Sequence, residues 1–181
     1  MSFPVDNVRE GRDVQEITSR IQEKFGAAAV VDVRGRTGGS ANDVQFHEIW
    51  ASVGKEHFLE MIDEVASFDF PQFHVISGND DGESVSLNYH FTLFQAAGRG
   101  KRVGVTVTVS LLKDDLSLPS LFSRIPGVEY SEREMREMLG IDFLGLPNKA
   151  LVFLPEDWDE TVKPWRRDET GPSAEHVREL S

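Results

Sequence analysis

The sequence contains no cysteine. That excludes disulfides, a thiol nucleophile and any iron–sulfur or nickel–iron centre ligated by this chain's own thiolates; it also fits a reducing compartment. No apolar run approaches the ~20 residues that cross a bilayer. The opening residues, with Asp6, Arg9, Glu10 and Arg12 in quick succession, lack a secretory hydrophobic region. Basic residues are scarce, 19 against 31 acidic ones, for a net charge of −12 in 181 residues. Nucleic acid and anionic membranes would repel such a surface, so neither is an expected partner. The five histidines (His47, His57, His74, His90, His176) form no pair at i,i+3 or i,i+4, so metal-ligand spacing is missing. There is no Gly-x-Ser-x-Gly elbow. The stretch Gly35-Arg-Thr-Gly-Gly-Ser-Ala-Asn42 has neither the Gly-Lys-Ser/Thr ending of a phosphate loop nor dinucleotide spacing, and reads as a surface loop.

What is present is a patterned chain long enough for one core. Residues 1–12 are expected to be a loose leader, 13–154 a single domain and 155–181 an extended arm. Val14, Ile17, Ile21 and Phe25 make a helical stripe, with Asp13 and Glu16 placed as a capping pair and Gly26 as its stop. Ala28–Val33 suits a buried strand, Arg34–Asp43 a loop, and residues from Val44 a further strand. Lys55–Phe68 places Phe58, Leu59, Ile62, Val65 and Ala66 on one helical side, with Pro71 closing its exit. Phe73–Ser77 is a third strand and Gly78–Gly82 turn chemistry. The two longest strand signals follow, Ser84–Phe94 and Arg102–Leu111, joined by a hairpin loop. Each has one apolar face. The predicted class is therefore α+β: an antiparallel sheet covered on one face by helices.

Tyr130–Gly140 predicts a short amphipathic helix. Ser131 and Glu134 have capping-box spacing, Tyr130 and Met135 the spacing of a hydrophobic staple, and Glu132 and Arg136 that of an i,i+4 ion pair. Met135, Met138 and Leu139 form its apolar face, and Gly140 its stop. The carboxylates Glu129, Glu132, Glu134 and Glu137 could suggest acid–base chemistry, but caps and ion pairs account for them without it. From Pro155 the chain holds three prolines, two tryptophans and almost no aliphatic periodicity. It cannot bury enough apolar area to fold on itself, and fully extended it would reach on the order of 80 Å. Trp158, Trp165, Arg166 and Arg167 are the residue types that anchor interfaces. The expectation is an arm that wraps a partner; the alternative is a tail folded back over its own domain.

Three segments carry a resemblance: Ser131-Glu-Arg-Glu-Met-Arg-Glu-Met-Leu-Gly-Ile-Asp-Phe-Leu-Gly-Leu-Pro-Asn148, Leu154-Pro-Glu-Asp-Trp158 and Lys163-Pro-Trp-Arg-Arg-Asp168. Together they resemble the signature of the C-subunit family of respiratory complex I (NADH:quinone oxidoreductase), which includes its relatives in membrane-bound, energy-conserving nickel–iron hydrogenases. The likeness covers residues 117–168, with two departures: Leu146 stands where histidine is usual, and Trp165-Arg166-Arg167 replaces Leu-Arg-Lys. The Leu-Pro-Glu-Asp-Trp wording is closer to the hydrogenase side. The resemblance implies a peripheral, cofactor-free structural subunit on the cytoplasmic face of the membrane. Its implied partners are a large catalytic subunit and an iron–sulfur small subunit, with nickel–iron or quinone chemistry in those neighbours. It also implies partner-binding roles for Arg133 and Glu134, beside the arm's Trp158, Trp165, Arg166 and Arg167, and no catalytic residue in this chain. A free-standing enzyme using the acidic helix, or an interaction module without a redox role, are the rival readings.

Overall fold

The computed structural model describes residues 3, 8–38, 40, 44–98 and 100–176. Helix α1 (Val14–Phe25) starts at Asp13, whose carboxylate accepts the Gln15 N–H at 2.7 Å, and stops at Gly26 with φ +52°. Its stripe Val14, Ile17, Ile21 and Phe25 is buried as the spacing requires, whereas Glu16 pairs with Arg12 and does not complete a capping box. Strands β1 (Ala29–Gly38) and β2 (Val44–Val53) form a hairpin of ten register pairs. Helix α2 (Phe58–Ala66) then crosses the sheet, and β3 (Gln72–Asp80), β4 (Ser84–Leu93) and β5 (Val103–Leu112) follow as a meander.

The crossover fixes the topology. It returns the chain so that β5 runs alongside β2 in the same direction, giving the order β1-β2-β5-β4-β3. The α+β class and the helical cover on one face stand. The sheet itself is mixed, parallel at β2–β5 and antiparallel at its three other pairings. Val85, Leu87, Tyr89, Phe91 and Leu93 of β4 join Val103, Val105, Val107 and Val109 of β5 in the core under the helices. The opposite face is polar, with His90 on Thr106 and Thr108 on Asn88.

Four expectations change. β1 continues through Gly38, where a loop from Arg34 was expected, because β2 offers a register partner along its whole length; residues 39 and 41–43 of that stretch lie outside the described residues. β1 is also not buried. It is the sheet edge, with Val30 70% exposed. β3 likewise runs through Asp80, so Gly78 lies within a strand rather than at the turn. The leader is partly anchored: the Phe3 N–H donates to the Arg124 carbonyl, and the Val8 N–H to Asp69 Oδ1 at 2.8 Å. Residues 1, 2 and 4–7 lie outside the described residues.

Helix α3 (Glu129–Leu139) packs on β3 over Gly78. A Cβ there would meet Leu139 Cδ1 and lie 2.8 Å from Met135 Sδ, both on fully buried side chains. Gly78→Val is therefore expected to lower unfolding free energy by about 1–3 kcal/mol through overpacking. Urea denaturation checks it, and an unchanged midpoint would mean α3 does not press on β3.

Candidate functional site

α3 begins earlier than its capping pattern suggests. A 3-10 turn at Pro126–Val128 leads directly into it, so Ser131 falls inside the first turn and does not cap it. Tyr130 is 66% exposed and does not staple onto buried Met135; its ring lies 5.2 Å from the Arg133 guanidinium. Glu132 does not pair with Arg136. It is fully buried and accepts from the Ser120 hydroxyl and, at 2.8 Å, from the Leu121 N–H, while Arg136 reaches Glu160 at 3.0 Å. The apolar face Met135, Met138 and Leu139 is buried, and Gly140 stops the helix with φ +83°.

The stripe Glu129, Arg133, Glu137 is spaced four apart and faces residues 148–154, which have neither helix nor strand. Arg133 donates to the carbonyls of Ala150 and Leu151 at 2.9 and 3.1 Å. Glu137 accepts the N–H groups of Val152 and Phe153 at 2.9 and 3.0 Å, and that of Leu154. Asn148 bonds Glu129 at 3.3 Å. Side chains of opposite character thus answer the donors and acceptors of an irregular backbone in turn.

A second fastening lies at the other end of α3. The Trp165 N–H donates to the Met138 carbonyl at 3.0 Å, and Arg166 donates to the Leu139 carbonyl at 3.2 Å, so the strap, residues 148–175, caps the helix C-terminus. Arg166 also pairs with Asp168 at 2.6 Å. Asp80, at the end of β3 with a fully buried side chain, takes Lys113 at 2.8 Å and the Arg167 N–H at 2.8 Å. Burial pushes the Asp80 carboxyl up, but Lys113 and the Arg167 and Gly82 N–H groups outweigh it and hold its pKa at about 2. Lys113 and the Thr170 hydroxyl hold Asp168 well below the usual carboxylate range. The segment expected to wrap a partner therefore lies fastened to its own domain as far as Asp168.

Of the six residues singled out from sequence, Arg133 and Arg166 face inward as fasteners. Trp158 is half-buried, its indole N–H on the Val162 carbonyl at 3.0 Å. Trp165 is 43% exposed, and the Arg167 side chain is exposed. Glu134 is half-buried and has no side-chain partner among the described residues; burial and then the charge of Glu137 raise its pKa. Phe153, 62% exposed, and Leu144, 52% exposed, join Tyr130 and Trp165 as outward apolar side chains. Sequence reasoning missed Phe153, Asp80, Lys113 and the clasp role of Glu137. The alternation Glu129, Arg133, Glu137 was the one available signal. A cavity of about 590 Å³ beside the start of α3 is lined by Phe73, Arg124, Pro126 and Ser131, not by the acidic stripe.

The model of the family described as "Respiratory-chain NADH dehydrogenase, 30 Kd subunit" matches residues 51–175, from β2 to the end of the strap. The chain belongs to that family. The chain is 30% identical to the Membrane-bound hydrogenase subunit beta of Pyrococcus furiosus over 164 residues, 90% of this chain and 89% of that one. Formate hydrogenlyase subunit 5 of Escherichia coli is 32% identical over 96 residues, 52% of this chain but 16% of that much longer one. A chain of the membrane-bound sulfane sulfur reductase, an archaeal respiratory membrane complex, shares the fold with a TM-score of 0.65 at 19% identity, covering 83% of this chain and 81% of that one. No helix among the described residues is long and apolar enough to cross a membrane.

Two expected outcomes follow from this wiring. Glu137→Ala leaves three N–H groups of the strap without their acceptor and should cost about 1–3 kcal/mol. Denaturant midpoints at neutral pH check it, and a neutral effect would mean the clasp does not hold. Burial pushes the Glu132 pKa up to about 7, against the Ser120 and Leu121 donors that pull it down. The folded state therefore binds this proton more tightly than the unfolded chain. Its contribution is fully present below the ordinary glutamate value of about 4.5 and is lost as pH rises through about 7, a fall of roughly 3 kcal/mol. Glu132→Gln should flatten stability between pH 5 and 8, and an unaltered slope would contradict the assignment.

Proposed function

We propose that the chain is a cofactor-free structural subunit of a membrane-bound redox complex of the hydrogenase type, related to complex I. It docks on the large catalytic subunit, beside the iron–sulfur small subunit, and those neighbours hold it on the cytoplasmic side. Electrons pass through the partners. Two features support this: a sequence with no thiol and no clustered imidazole, and alignment with a hydrogenase subunit over 90% of the chain. A segment similar to half of this chain is also built into a far longer polypeptide in Escherichia coli, which makes a large protein a natural neighbour.

The observation that carries the docking surface is the division of labour along α3 and the strap. Arg133, Glu137 and Arg166 are used up on the chain's own backbone, whereas Tyr130, Phe153, Trp165 and Arg167 are exposed and Glu134, one helical turn from Tyr130, has no side-chain partner among the described residues. Aromatics held rigidly lose little freedom on binding, and an unpartnered carboxylate among them suits a partner's arginine or lysine. The family description favours a second reading, the corresponding subunit of an NADH- or ferredoxin:quinone oxidoreductase. Purification of the tagged chain from intact membranes separates the two. A co-purified large subunit with nickel–iron ligating cysteines supports the hydrogenase reading, and one without them moves it to quinone reduction. An unrelated partner would leave an interaction module with no redox role.

Trp165 fastens the strap through its backbone N–H, and 43% of the residue remains exposed to meet a partner. Phe153→Ala with Trp165→Ala should leave the isolated chain folded, with its circular dichroism unchanged. Recovery of the assembled complex should fall at least tenfold, each anchor being worth about 2 kcal/mol. Undiminished recovery would place the interface elsewhere.

A further inference from the structure

The two edges of the five-stranded sheet are unlike. Along β3, α3 lies over Gly78, the ladder with β4 shifts register between Phe73 and Val75, and the strap closes the Asp80 end. β1 has none of these protections. Its ladder with β2 is unbroken over ten pairs and it holds no proline; beyond Ala29, whose N–H donates to the Gly26 carbonyl, its outer backbone groups have no partner among the described residues. Folded proteins blunt exposed edges with bulges, prolines, charged side chains or cover, because a bare edge recruits another strand. The charges of β1 are spent locally instead, Arg34 on Asp32 at 3.0 Å and Arg36 on Glu48 at 3.3 Å. Apolar side chains flank the edge on both faces, Val30 on the open one and Val33, 37% exposed, on the helical one.

Beside this edge the helical cover is incomplete. A cavity of about 820 Å³ has Val33, His47 and Val103 on its floor and Arg12, Lys101 and Arg102 on its rim, with Glu10 and Asp13 on the wall formed by the approach to α1. Asp13 is engaged in capping α1, and Arg12 is paired with Glu16. Lys101 and Arg102 are exposed and have no ion-pair partner among the described residues. The lining thus sets three cations, two of them unpaired, against two carboxylates, in a chain whose net charge is −12. α1 and β1 also lie ahead of residues 51–175, which the family description covers.

We propose that β1 accepts an extended, acidic segment of a partner protein as a sixth strand of the sheet, with side chains of that segment entering the basic-rimmed cavity on the helical face. Main-chain hydrogen bonds about 4.8 Å beyond β1 supply the attachment, and the cavity supplies the selection. A second copy of this chain is the poorer occupant. Pairing about Val33 would set Asp32 opposite Arg34, but it would also bring together two basic rims and two chains of charge −12. The proposal is separate from the α3 docking surface and uses none of its residues.

The test places p-benzoylphenylalanine at Val30 and irradiates the intact membrane complex, with amide exchange of β1 measured in the complex and in the isolated full-length chain. The expected product is a crosslink to a partner subunit within a segment rich in Asp and Glu, with β1 amides exchanging at least tenfold more slowly in the complex. The surface pair Lys101→Glu with Arg102→Glu should reduce the crosslink at least fivefold while the circular dichroism stays unchanged. A crosslink to a second copy of this chain, a crosslink only to lipid, no crosslink, or β1 amides that exchange equally in both states would each overturn it. If β1 stays unprotected while the Phe153 and Trp165 substitutions still dismantle the complex, this proposal fails and the proposed function stands.

Discussion

An irregular backbone can lie against a folded surface only if its N–H and C=O groups are answered there. In this chain α3 supplies that answer. Arg133 takes two carbonyls, Glu137 takes three successive N–H groups, and Glu132 holds the Leu121 N–H on the helix's other side. These three side chains sit on a helix of only 11 residues, too short to persist in water without tertiary support. Support runs in both directions. The helix fastens the strap, and the strap caps the helix C-terminus through Trp165 and Arg166.

This reciprocity links the architecture to assembly. A free arm would have to be ordered when a partner arrived, at a cost per residue that grows with its length. Here the arm is already in place, so Phe153 and Trp165 are presented on a firm base. The charged groups beneath them, Asp80, Lys113, Arg166 and Asp168, are largely withdrawn from water and matched to one another. Removing one of them would strand the rest, which makes the cluster a condition of the strap's position rather than a decoration. The sheet contributes stiffness, because its helical face is filled by one continuous core.

Much of the fold is legible in the sequence. Long alternating runs such as Val103–Leu111 are strands in almost any context, and the buried stripe of α1 has one natural reading. The mixed character of the sheet was not legible, because direction depends on where the α2 crossover returns the chain, and no local residue records that. β1 misled for a different reason: glycines and arginines look like loop chemistry until a ten-residue neighbour supplies the register. At the site, Trp165 was identifiable by type, but Arg133 and Glu137 were hidden behind a plausible capping pattern. Pro126 set the helix start earlier than Ser131 suggested. The partner of Glu137 is a stretch of backbone, and side-chain spacing cannot reveal a backbone acceptor or donor. The long-range contacts Asp80–Lys113 and Asp80–Arg167 join strands to strap over distances that only the folded chain closes.

The irregular segment that follows the short strand Asp142–Leu144 is held by α3 within the chain itself, before any partner binds. Amide hydrogen exchange of the isolated full-length chain measures this at Val152, Phe153 and Leu154. The account expects these three amides to exchange as slowly as those in the middle of α3, despite belonging to no helix or strand. Exchange at the rate of an unstructured peptide, with α3 itself still protected, would contradict it.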